Sequence, residues 1–98
     1  MLISRHKLSA KLLAVTEDRL LHQVTNIDRD KKTYITTIDV ISLDHELLHS
    51  LEPNGKRKWS PYLTACVVPG TGDIMVADHQ LRSLDVFNNK GRVSSCFY

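Results

Sequence analysis

The sharpest chemistry in the chain is offered by His45-Glu46-Leu47-Leu48-His49, a literal H-E-x-x-H. On a helix, two histidines four apart share a face and hold a zinc ion, while the glutamate acts as general base on metal-bound water. A helix is possible here: Asp44 would cap it, Leu43, Leu47, Leu48 and Leu51 have helical spacing, and Pro53-Asn54-Gly55 would end it. In extended chain the same two histidines stand about 13 Å apart, too far for both imidazoles to reach one ion through bonds of about 2 Å. The third ligand is unassigned, since His79 falls in a polar linker. Five histidines in 98 residues also make a chance match easier than usual. His6, His22 and His79 read as ordinary surface or half-buried residues.

A second candidate is the basic run Lys56-Arg57-Lys58 beside Trp59 and Tyr62, with Arg82 further along. Lysines and arginines next to aromatic rings suit phosphate binding with base stacking. The competing reading is a solvated connecting loop with Trp59 packed onto a neighbouring sheet. A net charge of +2 is too small to argue for a nucleic-acid or membrane partner. Gly70-Thr71-Gly72 lacks the Lys-Ser/Thr ending and following helix of a phosphate loop. Cys66 and Cys96 form no C-x-x-C pair and no local nucleophile signature, and read as reduced, partly buried thiols of an intracellular protein.

The elements that must position these residues are strands. With 42% hydrophobic and 24% charged residues the chain is neither disordered nor low-complexity, and no apolar run approaches the roughly 20 residues of a membrane helix. Residues 62–68 form a β-prone run stopped by Pro69-Gly70-Thr71-Gly72-Asp73. Residues 74–77, 84–87 and 93–98 give three more short strands, the last two separated by the turn Asn88-Asn89-Lys90-Gly91. Four strands joined by short turns make an antiparallel meander. The first two runs are apolar at consecutive positions, the pattern of a sheet covered on both faces.

The first half repeats this plan. Ile38-Asp39-Val40-Ile41 matches Leu84-Asp85-Val86-Phe87 at an offset of 84 − 38 = 46 residues. Without a gap, Leu47 then falls on Val93 and Leu51 on Phe97. Upstream, 11–16, 20–27 and 33–43 supply the earlier strands, with a turn at 28–32. This register places 43–51 in a hairpin turn and an outer strand, against the helix that zinc would need. A four-strand unit recurring every 40–50 residues or so marks a β-propeller blade.

Residues 61–97 resemble an NHL-type propeller blade, as found at the C-terminal end of tripartite-motif and B-box proteins. The resemblance rests on Gly72-Asp73-Ile74-Met75-Val76-Ala77-Asp78, Leu84-Asp85-Val86-Phe87 and Asn89-Lys90-Gly91-Arg92. Leu81 and Ser83 stand where the family usually carries Asn and Arg, with Arg82 one place early, so the blade is divergent. The resemblance implies an all-β fold of two consecutive four-stranded antiparallel blades, a fragment of a larger closed propeller. Residues 1–10 are unassigned, 11–51 form one blade, 52–59 a basic inter-blade loop and 60–98 the NHL-like blade. Strand order then equals chain order, with Cys66 on the inner strand and Cys96 on the outer one. That separates the thiols by about 14 Å, beyond disulfide reach.

The implied function is a non-catalytic recognition or scaffold module that binds a protein partner through its loops in the cytoplasm. It would be the target-binding part of a ubiquitin-ligase-type protein. RNA binding through Lys56, Arg57, Lys58 and Arg82 is the alternative. A small zinc peptidase using His45, His49 and Glu46 is the second alternative, and only that reading needs a cofactor. Two blades also leave a sheet face uncovered, so the isolated chain is expected to self-associate.

Overall fold

A computed structural model describes residues 5–28, 33–53 and 57–97, with side chains from 11 onward except at 27, 28 and 34. The described residues form eight strands and no helix: β1 (Arg5–Val15), β2 (Arg19–Asp28), β3 (Thr33–Ser42), β4 (Leu47–Leu51), β5 (Leu63–Val67), β6 (Ile74–Asp78), β7 (Ser83–Phe87) and β8 (Val93–Phe97). They make two four-stranded antiparallel sheets, ordered β1-β2-β3-β4 and β5-β6-β7-β8. Arg5–Ala10, unassigned from sequence, continues β1 and pairs with the far half of β2. Of the turn expected at 28–32, Asp28 ends β2 and 29–32 lie outside the described residues. Cys66 and Cys96, on the first and last strands of one sheet, are not joined by a disulfide.

The offset of 46 residues holds at the level of hydrogen-bonded pairs. Ile38↔Leu51, Asp39↔Ser50, Val40↔His49 and Ile41↔Leu47 in the first sheet correspond to Leu84↔Phe97, Asp85↔Cys96, Val86↔Ser95 and Phe87↔Val93 in the second. A register shift falls at the same place in both hairpins, between Val40 and Ile41 and between Val86 and Phe87. A bulge inserts one residue and increases the local twist, so both outer hairpins bend in the same way.

Burial does not follow the same correspondence. In the first sheet Leu21, Ile38, Val40 and Leu51 enter the core; in the second it is Leu63, Ile74, Val76 and Phe87. Because side chains alternate across a strand, the counterparts of Ile38 and Val40, which are Leu84 and Val86, lie on the opposite face from buried Asp85 and Phe87. The sheets are therefore stacked like successive plates turned the same way, not as the two-fold halves of a sandwich. Their backbones meet mainly between their first strands, β1 and β5. The second sheet is covered on one face only, which corrects the two-faced burial read from its apolar runs. Along β6, residues are alternately buried and half-buried.

The connection between the sheets belongs to the core. Trp59 is buried with the apolar residues of both sheets and meets Phe87 edge-on at 5.9 Å between ring centroids. Gln23 of β2 donates from Nε2 to the Pro61 carbonyl at 2.7 Å, tying this segment to the first sheet.

Candidate functional site

The H-E-x-x-H residues are not helical. Ser42 to Glu46 close the β3–β4 hairpin: His45 N donates to Ser42 O at 3.0 Å, Ser42 N to Glu46 O at 2.8 Å and Glu46 N to Ser42 Oγ at 3.1 Å. His45 sits at φ 67° in the tip of this turn, exposed, as is Glu46. His49 is in β4 and half-buried, its ring against the backbone of Gly91. The pair is thus split between a turn and a strand, without the shared helix face that the zinc reading requires. Among the described residues, no three His, Cys, Asp or Glu side chains gather as a metal would need.

The basic run does not form one surface patch. Lys56 lies outside the described residues. Arg57 turns inward and forms an ion pair with the buried carboxylate of Asp85. Trp59 donates from Nε1 to the other oxygen of Asp85 at 2.9 Å. Neither Arg57 nor Trp59 presents its head for phosphate binding or stacking, which corrects the reading of this run as a basic patch with a stacking ring. Lys58, Tyr62 and Arg82 are exposed. Arg82 adopts φ 55° in the β6–β7 turn.

Asp78 is the second buried carboxylate, and it organises the β6–β7 turn. It accepts from Ser60 N and Ser60 Oγ, both at 2.7 Å, and from Gln80 N and Leu81 N, both at 3.0 Å. Burial alone would raise its pKa, but the hydrogen bonds from Ser60, Leu81 and Gln80 outweigh it and hold the carboxyl below its ordinary value of 3.8. His79 is engaged too, with Nε2 at 3.0 Å from the Thr64 hydroxyl.

The opposite end carries a cleft that the sequence did not announce. The β1–β2 turn, the β5–β6 loop and the β7–β8 turn come together there around about 710 Å3, lined by Thr16, Asp18, Arg19, His49, Thr71 and Asn89 among others. Arg19 joins the two sheets across it, donating from Nη2 to Gly72 O at 3.3 Å, with Nε 3.6 Å from Asp18 Oδ1. Thr16 Oγ1 accepts from Arg19 N at 3.0 Å and donates to Asp18 Oδ1 at 2.9 Å, fixing the turn that carries them. A guanidinium, an imidazole, hydroxyls and loop backbone line this open trough together with the apolar Leu48, Val67, Val68 and Pro69. The lining segments 16–19 and 67–72 are about half the chain apart in sequence, so no local motif marks the site. Comparison with family models, with curated proteins and with solved structures finds no match for this chain.

Proposed function

We propose that the chain forms two neighbouring blades of an NHL-like β-propeller and works as a non-catalytic protein-recognition module. Its partner segment would seat in the cleft between the loops of the two blades. The observation that carries this reading is the 46-residue repeat of pairing register combined with opposite buried faces. Sheets that repeat by stacking in one sense are the plan of a propeller, and propellers recognise partners through loops at their ends. Both buried carboxylates and one histidine are engaged structurally: Asp85 with Arg57 and Trp59, Asp78 with Ser60, and His79 with Thr64. By its likeness to tripartite-motif proteins, the module would select targets for a ubiquitin-ligase part. The exposure of Lys58, Arg82 and Tyr62 favours, as a second reading, RNA binding through them.

Selection from a displayed library of random peptides separates these readings. Selected peptides should bind at least about tenfold more weakly to Thr71→Trp or Asn89→Trp, which fill the cleft, and equally to Lys58→Glu/Arg82→Glu. Failure to select any peptide, or loss of binding only in the Lys58/Arg82 variant, overturns the cleft as the recognition site. Sequence-selective RNA binding lost in that variant would establish the second reading.

A further inference from the structure

The two outer faces of the molecule repeat the chemistry of the two inner ones. On the outer face of the second sheet stand Met75, Leu84, Val86 and Phe97, matched through strand pairing by Met75↔Val86 and Leu84↔Phe97. Their repeat counterparts are Leu21, Ile38, Val40 and Leu51, which the second sheet covers completely. On the outer face of the first sheet, Leu20, Ile41 and Leu47 are the counterparts of Ile74, Phe87 and Val93. Ile74 and Phe87 are the residues the second sheet uses to cover the first. Leu12 and Val15, paired with His22 and Leu20, extend this outer face. Phe97 is 57% exposed on one side, and Leu12, Val15 and Leu47 are 51%, 60% and 62% exposed on the other. Each molecule thus carries one uncovered face of each type that meets in its own core.

We propose that these faces bind each other between copies of this chain, the outer face of the second sheet docking on the outer face of the first sheet of the next copy. The contact is heterologous: it repeats the internal stacking rather than pairing like with like. A second copy supplies the complementary face. The same rotation that relates the sheets within a chain would relate successive copies. Rings of four to eight blades or so correspond to two, three or four copies. Charge agrees with this choice of occupant: the second-sheet strip is uncharged and the first-sheet face carries one carboxylate, Asp39, so the two meet without like-charge repulsion. Asp39 and His22 stand in the same cross-strand row as Leu12, within this face, where Asp39 accepts a hydrogen bond from Ser50 at 3.1 Å. The inference rests on the stacked-blade reading above but not on the cleft, which lies at the end of the sheets.

Two variants test it by complementation. Val86→Lys/Phe97→Lys blocks the second-sheet face, and Leu12→Lys/Ile41→Lys blocks the first-sheet face. Light scattering should show the unaltered chain as a closed oligomer, and each variant alone at the 11.1 kDa monomer mass. An equimolar mixture should give a dimer of twice that mass, because each variant keeps the one face the other has lost, and the blocked faces repel. Circular dichroism should show the same β spectrum for all samples. Single substitutions Phe97→Lys and Leu12→Lys serve if a double variant unfolds. An unaltered chain that is monomeric overturns the proposal, as does an oligomer broken by only one of the variants, which would be an isologous pair. Peptide binding in the cleft by such a monomer would leave the recognition reading standing.

Discussion

Removing Arg57 should expose how strongly the second sheet depends on one ion pair. Asp85 is 0% exposed, compensated by the Arg57 guanidinium and by the indole N–H of Trp59 at 2.9 Å. Arg57→Met keeps most of the apolar stem and leaves a buried carboxylate with one neutral donor. Breaking a buried pair by removing one partner costs about 3–5 kcal/mol. The Arg57 side chain is one-fifth exposed, so water reaches the vacated position and the expected cost lies near the lower end, about 3 kcal/mol. That is a large share of a total stability of about 5–15 kcal/mol. Asp85→Leu lets Arg57 turn to solvent but orphans the Trp59 N–H, a loss of about 1–3 kcal/mol. The combined variant lacks the stranded charge, so its cost should fall short of the sum of the singles by about 2 kcal/mol or more. Urea unfolding at one fixed protein concentration measures all three, since any self-association makes stability concentration-dependent. An Arg57→Met cost below about 1 kcal/mol, or strict additivity, would refute the reasoning.

Two further outcomes follow from other contacts. Asp78→Asn should cost about 2 kcal/mol near neutral pH. Because its folded pKa lies below 3.8, its contribution is complete above the unfolded value and is lost as pH falls through the folded one. The stability curves of the two proteins should therefore converge in acid, and a gap independent of pH would contradict the bonding scheme. Gly91→Ala meets two obstacles, a φ of 82° and a Cβ only 2.8 Å from His49 Cγ. The backbone part should cost about 1–2 kcal/mol in any background, whereas the contact part should shrink in His49→Ala, which removes the ring atoms and leaves only the 3.0 Å approach to the Cβ of residue 49. An equal cost in both backgrounds would show that the ring yields freely.

The hairpins were legible because their signals are local. Pro69-Gly70-Thr71-Gly72-Asp73 and Asn88-Asn89-Lys90-Gly91 stop apolar runs, and the gapless match of 38–51 to 84–97 reappears in the strand pairing, together with a shared bulge that the match did not indicate. Arg5–Ala10 was missed because a basic, weakly apolar stretch carries no strand signal of its own and is extended by pairing with β2. Asp78 and Asp85 entered the sequence reading only as members of the blade-like motif, without a role of their own. Strict alternation from Ile74 and Phe87 would have placed both on the core face, but their partners Ser60, Arg57 and Trp59 sit some twenty to thirty residues upstream, in a segment without periodicity. The same lack of periodicity made that segment look like a solvated basic loop, although the packing of Trp59 onto the neighbouring sheet was one of its two readings.

The path between the sheets also governs how copies could trade parts. Three-dimensional domain swapping needs a connecting segment that can straighten and let one sheet leave for a neighbour. Here that segment is pinned at four consecutive or near-consecutive residues: Arg57 and Trp59 on Asp85, Ser60 on Asp78, and the Pro61 carbonyl on Gln23 of the other sheet. Opening it would release two buried carboxylates and an indole together. Any assembly of this chain is thereby steered towards contacts between intact molecules. Mixed pools of differently tagged copies should then exchange subunits without first unfolding, on the timescale of interface dissociation.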